Sequence, residues 1–362
     1  MSGTSLDGVD AVLADFSAAL PQIIATHHIG FDPDLRAALL ALNQAGDNEL
    51  ARAALAANAL ARHYAAAVNA LLATSQLDAP QVAAIGCHGQ TVRHRPDLGY
   101  TLQLNNPALL VELTGISVAA DFRSRDIAAG GQGAPLVPAF HAAVFRHAIQ
   151  HRVIVNIGGI ANLTNLPPEG EVIGFDCGPG NVLLDMWSLA HTGRAFDDDG
   201  AWGASGKVIP AVLDALLKER YFQQPPPKST GRDLFNRAWL ENFLRAQDAP
   251  QDVQATLMQL SVETISQSIK QYCAGTQAVY VCGGGARNGA LMQALRHKLA
   301  EMQIALASTD ALGVGAEQVE ALAFAWLARQ TCRGAPGNLP TVTGAKHLCL
   351  LGALYPAGPR AI

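Results

Sequence analysis

Apolar and polar residues nearly alternate in VDAVLADF (9–16), a period of two that predicts a strand, and PQIIATHHI (21–29) is a natural partner for it. Residues 34–75 change period: alanines and leucines recur at helical spacing, which predicts two helices. Short apolar runs follow, each ending in glycine or a polar loop: VAAIGCHGQ (82–90), TLQL (101–104) and ISVAADF (116–122). The glycines and prolines of IAAGGQGAPLVPA (127–139) read as a loop and mark a domain boundary. Beyond it, HRVIVNIGGIANLTNL (151–166) reads strand, Gly-Gly turn, strand, and EVIGFDCGPGNVLLDMW (171–187) reads strand, tight glycine loop, helix start. Residues 207–274 are largely helical in pattern, QAVYVCGGGARNGALMQALRHKLA (277–300) is strand, triple glycine, helix, and AEQVEALAFAWLARQ (316–330) is a last amphipathic helix. Strands that alternate with helices predict α/β layers with helices covering the sheets. Each half opens with a strand–glycine–strand hairpin, at 1–16 and 153–166, a faint internal repeat.

Composition narrows the class. Apolar residues make up 49% and charged residues 15% of the 362, enough to bury a large core, and the length predicts about two domains. The net charge of −5 comes without a basic block, which argues against nucleic acid or an anionic membrane as partner. The six cysteines are scattered, with no C-x-x-C pair, so a zinc site or disulfide framework is not expected and a reducing, cytoplasmic setting is. No run is apolar and long enough to span a bilayer.

Several segments carry candidate chemistry, and each has a plainer reading. GTSLDGVD (3–10) spaces Gly3 and Gly8 as a Walker loop would, but Val9 stands where that motif needs lysine. A different phosphate loop stays open: Ser2, Thr4 and Ser5 offer hydroxyls, the glycines admit an anion to backbone N–H groups, and Asp7 or Asp10 suits Mg²⁺. The plainer reading is a hairpin turn. Gly158 and Gly159 either make a turn or clear room for a ligand, and Gly283, Gly284 and Gly285 precede a helix whose N-terminal N–H groups suit a phosphate. Asp176 ends a strand beside glycines, as a general base could, or it caps the following helix. Arg123 suits a carboxylate, or belongs to a solvated loop; His88 follows a strand; His147 and His151 read as a helix surface; Asp197–Asp199 reads as a solvated turn. Glu320 sits in an apolar helix and needs a partner if it faces inward.

The order of these pieces resembles the actin, sugar-kinase and Hsp70 superfamily. MSGTSLDGVD, GCHGQTVRH, DFRSRDIAAGGQGAPLVPAFH, NIGGIANLT, GFDCGPGN, KSTGRDLFN, VCGGGARN and a C-terminal TGA resemble, in sequence and across nearly the whole chain, the anhydro-N-acetylmuramic acid kinases. That resemblance implies two ribonuclease-H-like domains with mixed sheets flanked by helices and a cleft between them. The expected bounds are 1–128, with 340–362 as a candidate to return to it, and 129–339. It implies ATP and Mg²⁺ as cofactors, 1,6-anhydro-N-acetylmuramic acid as substrate, and a homodimer. Gly3, Thr4, Ser5, Leu6, Asp7, Gly8, Val9 and Asp10, with Gly158 and Gly159, would hold the phosphates and Asp7 the metal. Gly283–Gly285 would lie by adenosine, and Asp176 would be the base. His88, Arg123, Gln132 and Glu320 would address the sugar. Such kinases lead into the first phosphate loop with a strand, whereas this sequence opens inside the loop, so low stability or weak ATP affinity is expected of the chain as written. Competing readings are a kinase or ATPase for another amino sugar or a uronate-like acid, a sugar-sensing or peptide-binding module without catalysis, and, more remotely, a dinucleotide-dependent dehydrogenase.

Overall fold

The runs VIV at 153–155 and AVYVC at 278–282 have no polar alternation, as expected of strands covered on both faces, and they pair at the centre of a sheet. The computed structural model describes residues 1–3, 6–18 and 20–358, and Thr4 and Ser5 lie outside them. The chain divides into two compact units, Met1–Val144 together with the stretch from Gln318 onward, and Phe145–Glu317. The sequence reading put the first divide at 128/129 and returned only 340–362. The GGQG loop lies instead inside the first unit, because Gln132 N–H donates to Thr343 O at 2.7 Å and Lys346 N–H to Ala129 O at 2.9 Å.

In the first unit β1 (Gly8–Asp15) and β2 (Gln22–Gly30) form an antiparallel hairpin, Gly8 opposite Gly30. β3 (Ile85–Cys87) is followed by a second hairpin of β4 (Gln90–Arg95) and β5 (Tyr100–Leu104), then by β6 (Val118–Ala120). β6 lies between β3, parallel to it, and the C-terminal strand Ala353–Tyr355, antiparallel. The helix Glu49–Ser75 buries Leu60, Tyr64 and Ala67 in the core that Val9, Cys87 and Val118 share.

In the second unit β7 (Arg152–Ile157), β8 (Ile160–Leu166) and β9 (Ile173–Pro179) make an antiparallel meander. β10 (Ala278–Cys282) and β11 (Ala305–Ser308) continue the sheet in parallel on the other side of β7, giving the order β11-β10-β7-β8-β9. This is the ribonuclease-H-like arrangement. Val153, Val155, Val279 and Val281 are fully buried against Ile265 and Ile269 of the helix Pro250–Tyr272 and Leu291 and Leu295 of the helix Gly289–Ala300.

Three local expectations change. The 207–274 stretch is interrupted: helices Pro210–Leu216, Arg237–Glu241 and Pro250–Tyr272 flank a loop at 224–236, because the prolines at 225–227 lack the N–H a helix needs. His147 and His151 are not on a helix; His151 is buried with Nε2 2.6 Å from Asn165 Oδ1. Asp197–Asp199 is a structural knot, since Asp197 accepts from the N–H groups of Trp202 and Gly203 and Asp199 from that of Gly289. Among the described residues no helix is long and apolar enough to cross a membrane.

The two units differ in how their sheets are paired. In the second, β7 fills the place between antiparallel β8 and parallel β10. In the first, β1 and β3 belong to separate sheets, and between them lies an apolar cavity of 530 Å³ lined by Val12, Leu13, Leu71, Ala84, Ile116 and Ala325 among others. Met1 already pairs with Asp10, Met1 N donating to Asp10 O at 2.8 Å and Asp10 N to Met1 O at 2.9 Å.

Candidate active site

The opening loop is held by its backbone. Gly3 O accepts from Nε2 of buried Gln90 at 3.1 Å, and Ser2 Oγ lies 2.7 Å from Tyr64 OH. Leu6 takes a left-handed conformation (φ 57°) so that the chain turns while its side chain enters the core beside Val9. At Leu6 and Val9, therefore, only the backbone is left to face a ligand. Gly8 packs on β2 so closely that a Cβ would strike Ile29 O. Asp7 is exposed; Asp10 is also exposed, with Oδ1 2.8 Å from His28 Nδ1.

His88, Arg123 and Glu320 come together in the same unit. Arg123 donates from Nε and Nη2 to His88 Nε2 at 3.0 and 2.9 Å, and from Nη1 to Gly133 O at 2.8 Å. His88 is buried against the Phe324 ring, and burial and then the Arg123 charge hold its pKa well below the ordinary value. The ring is therefore neutral with Nε2 as acceptor, and its role is to aim Arg123. Burial brings the Arg123 pKa down to about 10, against the opposing charges of Glu320 and Asp126. Gln132 is exposed on the GGQG loop. Sequence reasoning missed what fixes that loop: fully buried Asp126 accepts from Gly133 N–H, Asn338 Nδ2 and Thr343 Oγ1, each at 2.8 Å.

In the second unit Gly158 and Gly159 turn their carbonyls onto the start of the helix Val182–Thr192. Asn181 N–H donates to Gly158 O at 2.8 Å, and the Gly180 and Val182 N–H groups donate to Gly159 O at 2.9 and 3.0 Å. This hairpin thus meets orphan N–H groups that every helix start leaves. Gly283 and Gly285 serve close packing: with φ 81° at Gly283, a Cβ there would lie 2.9 Å from Ile157 O, and one at Gly285 would strike the Ile157 side chain. Gly284 is the exposed member. The triple glycine does not lead straight into a helix, as the sequence suggested. A 3₁₀ turn, Gly284–Arg287, intervenes, and the helix start at Gly289 is occupied by Asn288 Oδ1 on Leu291 N–H and Asp199 Oδ1 on Gly289 N–H.

Asp176 lies in the middle of β9, not at a strand end as the sequence suggests, opposite Asn162 and beside a register shift beyond which pairing resumes at Gly178 and Pro179. It does not cap the helix. Its Oδ2 accepts from Thr230 N–H at 3.0 Å, its N–H donates to Lys228 O at 3.2 Å, and its carbonyl accepts from Tyr221 OH at 2.8 Å. Oδ1 has no hydrogen-bond partner among the described residues. Burial pushes its pKa up to about 6, opposed by the Thr230 N–H and the Lys228 charge. Asp185, nine residues on, is likewise pushed up to about 6 by burial and opposed by Arg232.

The second unit is thus a ribonuclease-H-like sheet that carries a glycine hairpin, the Asp176 carboxylate and a glycine turn, and the family matches that follow make the chain a phosphotransferase. The model of the anhydro-N-acetylmuramic acid kinase family matches residues 1–357. An anhydro-N-acetylmuramic acid kinase of Nitrosomonas europaea is 57% identical over 359 residues, covering 99% of this chain and 98% of the relative. One of Burkholderia orbicola is 56% identical over 362 residues, covering 98% and 95%. The chain belongs to the anhydro-N-acetylmuramic acid kinase family. A solved structure titled "Activator of the 2-Hydroxyisocaproyl-CoA Dehydratase from Clostridium difficile with bound ADPNP" aligns at TM-score 0.41 and 12% identity, covering 87% of this chain and 92% of that one.

Proposed function

We propose that the chain converts 1,6-anhydro-N-acetylmuramic acid, ATP and water into N-acetylmuramic acid 6-phosphate and ADP, with Asp176 as the general base. The observation that carries this is the Asp176 carboxyl: half-buried, gripped through Oδ2, and open at Oδ1. Oδ1 takes a proton from water as its oxygen attacks C1 of the sugar. The C1–O6 bond breaks, O6 attacks the γ-phosphorus in line, and ADP leaves. Opening the anhydro ring thus delivers the nucleophile where it is needed, so catalysis is chiefly positioning and charge stabilisation.

Backbone groups of Gly3–Asp10, with the hydroxyls of Thr4 and Ser5, would receive phosphate oxygens, and Gly284 would border adenosine. Arg123, aimed by His88, would pair with the lactyl carboxylate, while Gln132 and Glu320 would bind sugar hydroxyls or the acetamide. Mg²⁺ fits Asp7: no cluster of three or more metal-ligating side chains occurs among the described residues, and a hard cation held by phosphates and water needs only one or two carboxylates. When bound it would neutralise phosphate charge.

ADP release on mixing ATP with the 1,6-anhydro sugar, matched one to one by sugar 6-phosphate, tests the reading; ADP release indifferent to that sugar refutes it. The pH profile provides a second check. A base must be ionised, and with its pKa near 6 the Asp176 carboxylate forms as pH rises through that value. The expected kcat/KM climbs about tenfold per unit below pH 6 and levels off above it.

A further inference from the structure

Asp176 is gripped by a segment that has little regular structure of its own. The groups that meet its N–H, its carbonyl and its Oδ2 come from Lys228, Tyr221 and Thr230, all within the stretch 221–230. This stretch leaves the short turn Arg220–Gln223, passes the prolines, and joins no strand ladder. The Lys228 side chain closes it on itself. It is 9% exposed, and Nζ donates to Tyr221 O and Phe222 O at 3.3 Å each. Nζ also lies over the rings of Tyr221 and Phe175, at 4.9 and 5.8 Å from their centroids.

We propose that Lys228 is a positioning residue for Asp176: its ammonium closes the 221–230 loop and supplies the positive charge that faces the Asp176 carboxyl. The proposal rests on the reading of Asp176 as base. Lys228 forms no salt bridge among the described residues and its ammonium is met by carbonyls and ring faces; burial lowers its pKa from the ordinary lysine value, opposed by the Cys177 thiol and Asp176. The other titratable groups facing Asp176 are neutral at the working pH. Burial pushes the Cys177 thiol up to about 12 and raises the Tyr221 phenol and the Cys273 thiol behind it. Among the described residues that act on Asp176, Lys228 is the cationic one, so its removal changes the field at Asp176.

The test is the pH dependence of turnover in Lys228→Met and Lys228→Arg, with KM for ATP and thermal melts measured alongside. For Lys228→Met the acid limb of kcat/KM is expected to move up by about one unit, so activity at pH 6 falls several-fold and recovers by pH 9. KM for ATP stays within about twofold, and Lys228→Arg, which keeps the charge, holds the limb near its original position. Should Lys228→Met not fold, Lys228→Gln, which retains a donor for the two carbonyls, reads the same limb. An unmoved limb, or a loss equal at every pH, overturns the proposal. Its failure is separable from that of the parent reading: an active Asp176→Asn enzyme refutes the base, whereas an inactive one beside an unmoved Lys228→Met limb refutes only Lys228.

Discussion

Asp176→Asn is expected to lower kcat by at least about a thousandfold while ATP still binds, as measured by calorimetry and by single-turnover ADP release. The substitution keeps size, and the amide oxygen can still accept from Thr230 N–H, so the strand and the loop that grips it stay in place. What disappears is the capacity to take a proton from water at C1. The same change should stabilise the fold. An aspartate whose pKa is raised in the folded state, here from 3.8 to about 6, favours folding when protonated and loses that contribution as pH rises through about 6. Asp176→Asn should therefore melt above the parent at pH 8 and level with it near pH 4. Full turnover in this variant would remove Asp176 from the mechanism; an inactive variant with a lower Tm at pH 8 would mean the loss came from misfolding.

Asp126→Ala is expected to lower the Tm of the first unit by about 10 °C and to raise KM for the sugar. Asp126 is fully buried and satisfies three donors at once, from the GGQG loop and from Asn338 and Thr343 of the C-terminal segment. Truncation leaves them unpaired in a dry interior, a loss of roughly 3–5 kcal/mol. It also frees Gly133, whose carbonyl orients Arg123, and Thr343, whose carbonyl receives the Gln132 N–H. Differential scanning calorimetry and the sugar KM check both parts. A variant melting within a degree or two of the parent would show that the buried cluster is not what joins the two segments.

The paired hairpins, the helices at 33–41 and 49–75 and the strands bracketing each glycine turn were legible from periodicity, since burial on one face or two leaves its period in the residues themselves. Eight glycine- and charge-bearing segments in fixed order were enough to point to the family. The purpose of individual glycines was less legible. Gly283 and Gly285 also give way to a strand more than a hundred residues earlier: a Cβ at Gly283 would strike Asn156 Oδ1, and one at Gly285 the Ile157 side chain.

The sequence by itself determined the alternation of strands and helices, the glycine turns at their junctions, and a strand carboxylate, Asp176, beside glycines. These follow from local rules: backbone freedom at glycine, the missing N–H of proline, and the period of apolar side chains. Only the tertiary structure decided that His88 serves Arg123, that Asp126 joins residues 212 and 217 positions away, and that Asp176 is held by a loop 54 positions on. A buried polar group must find its partner wherever packing brings one, and no local period records which distant residue that will be.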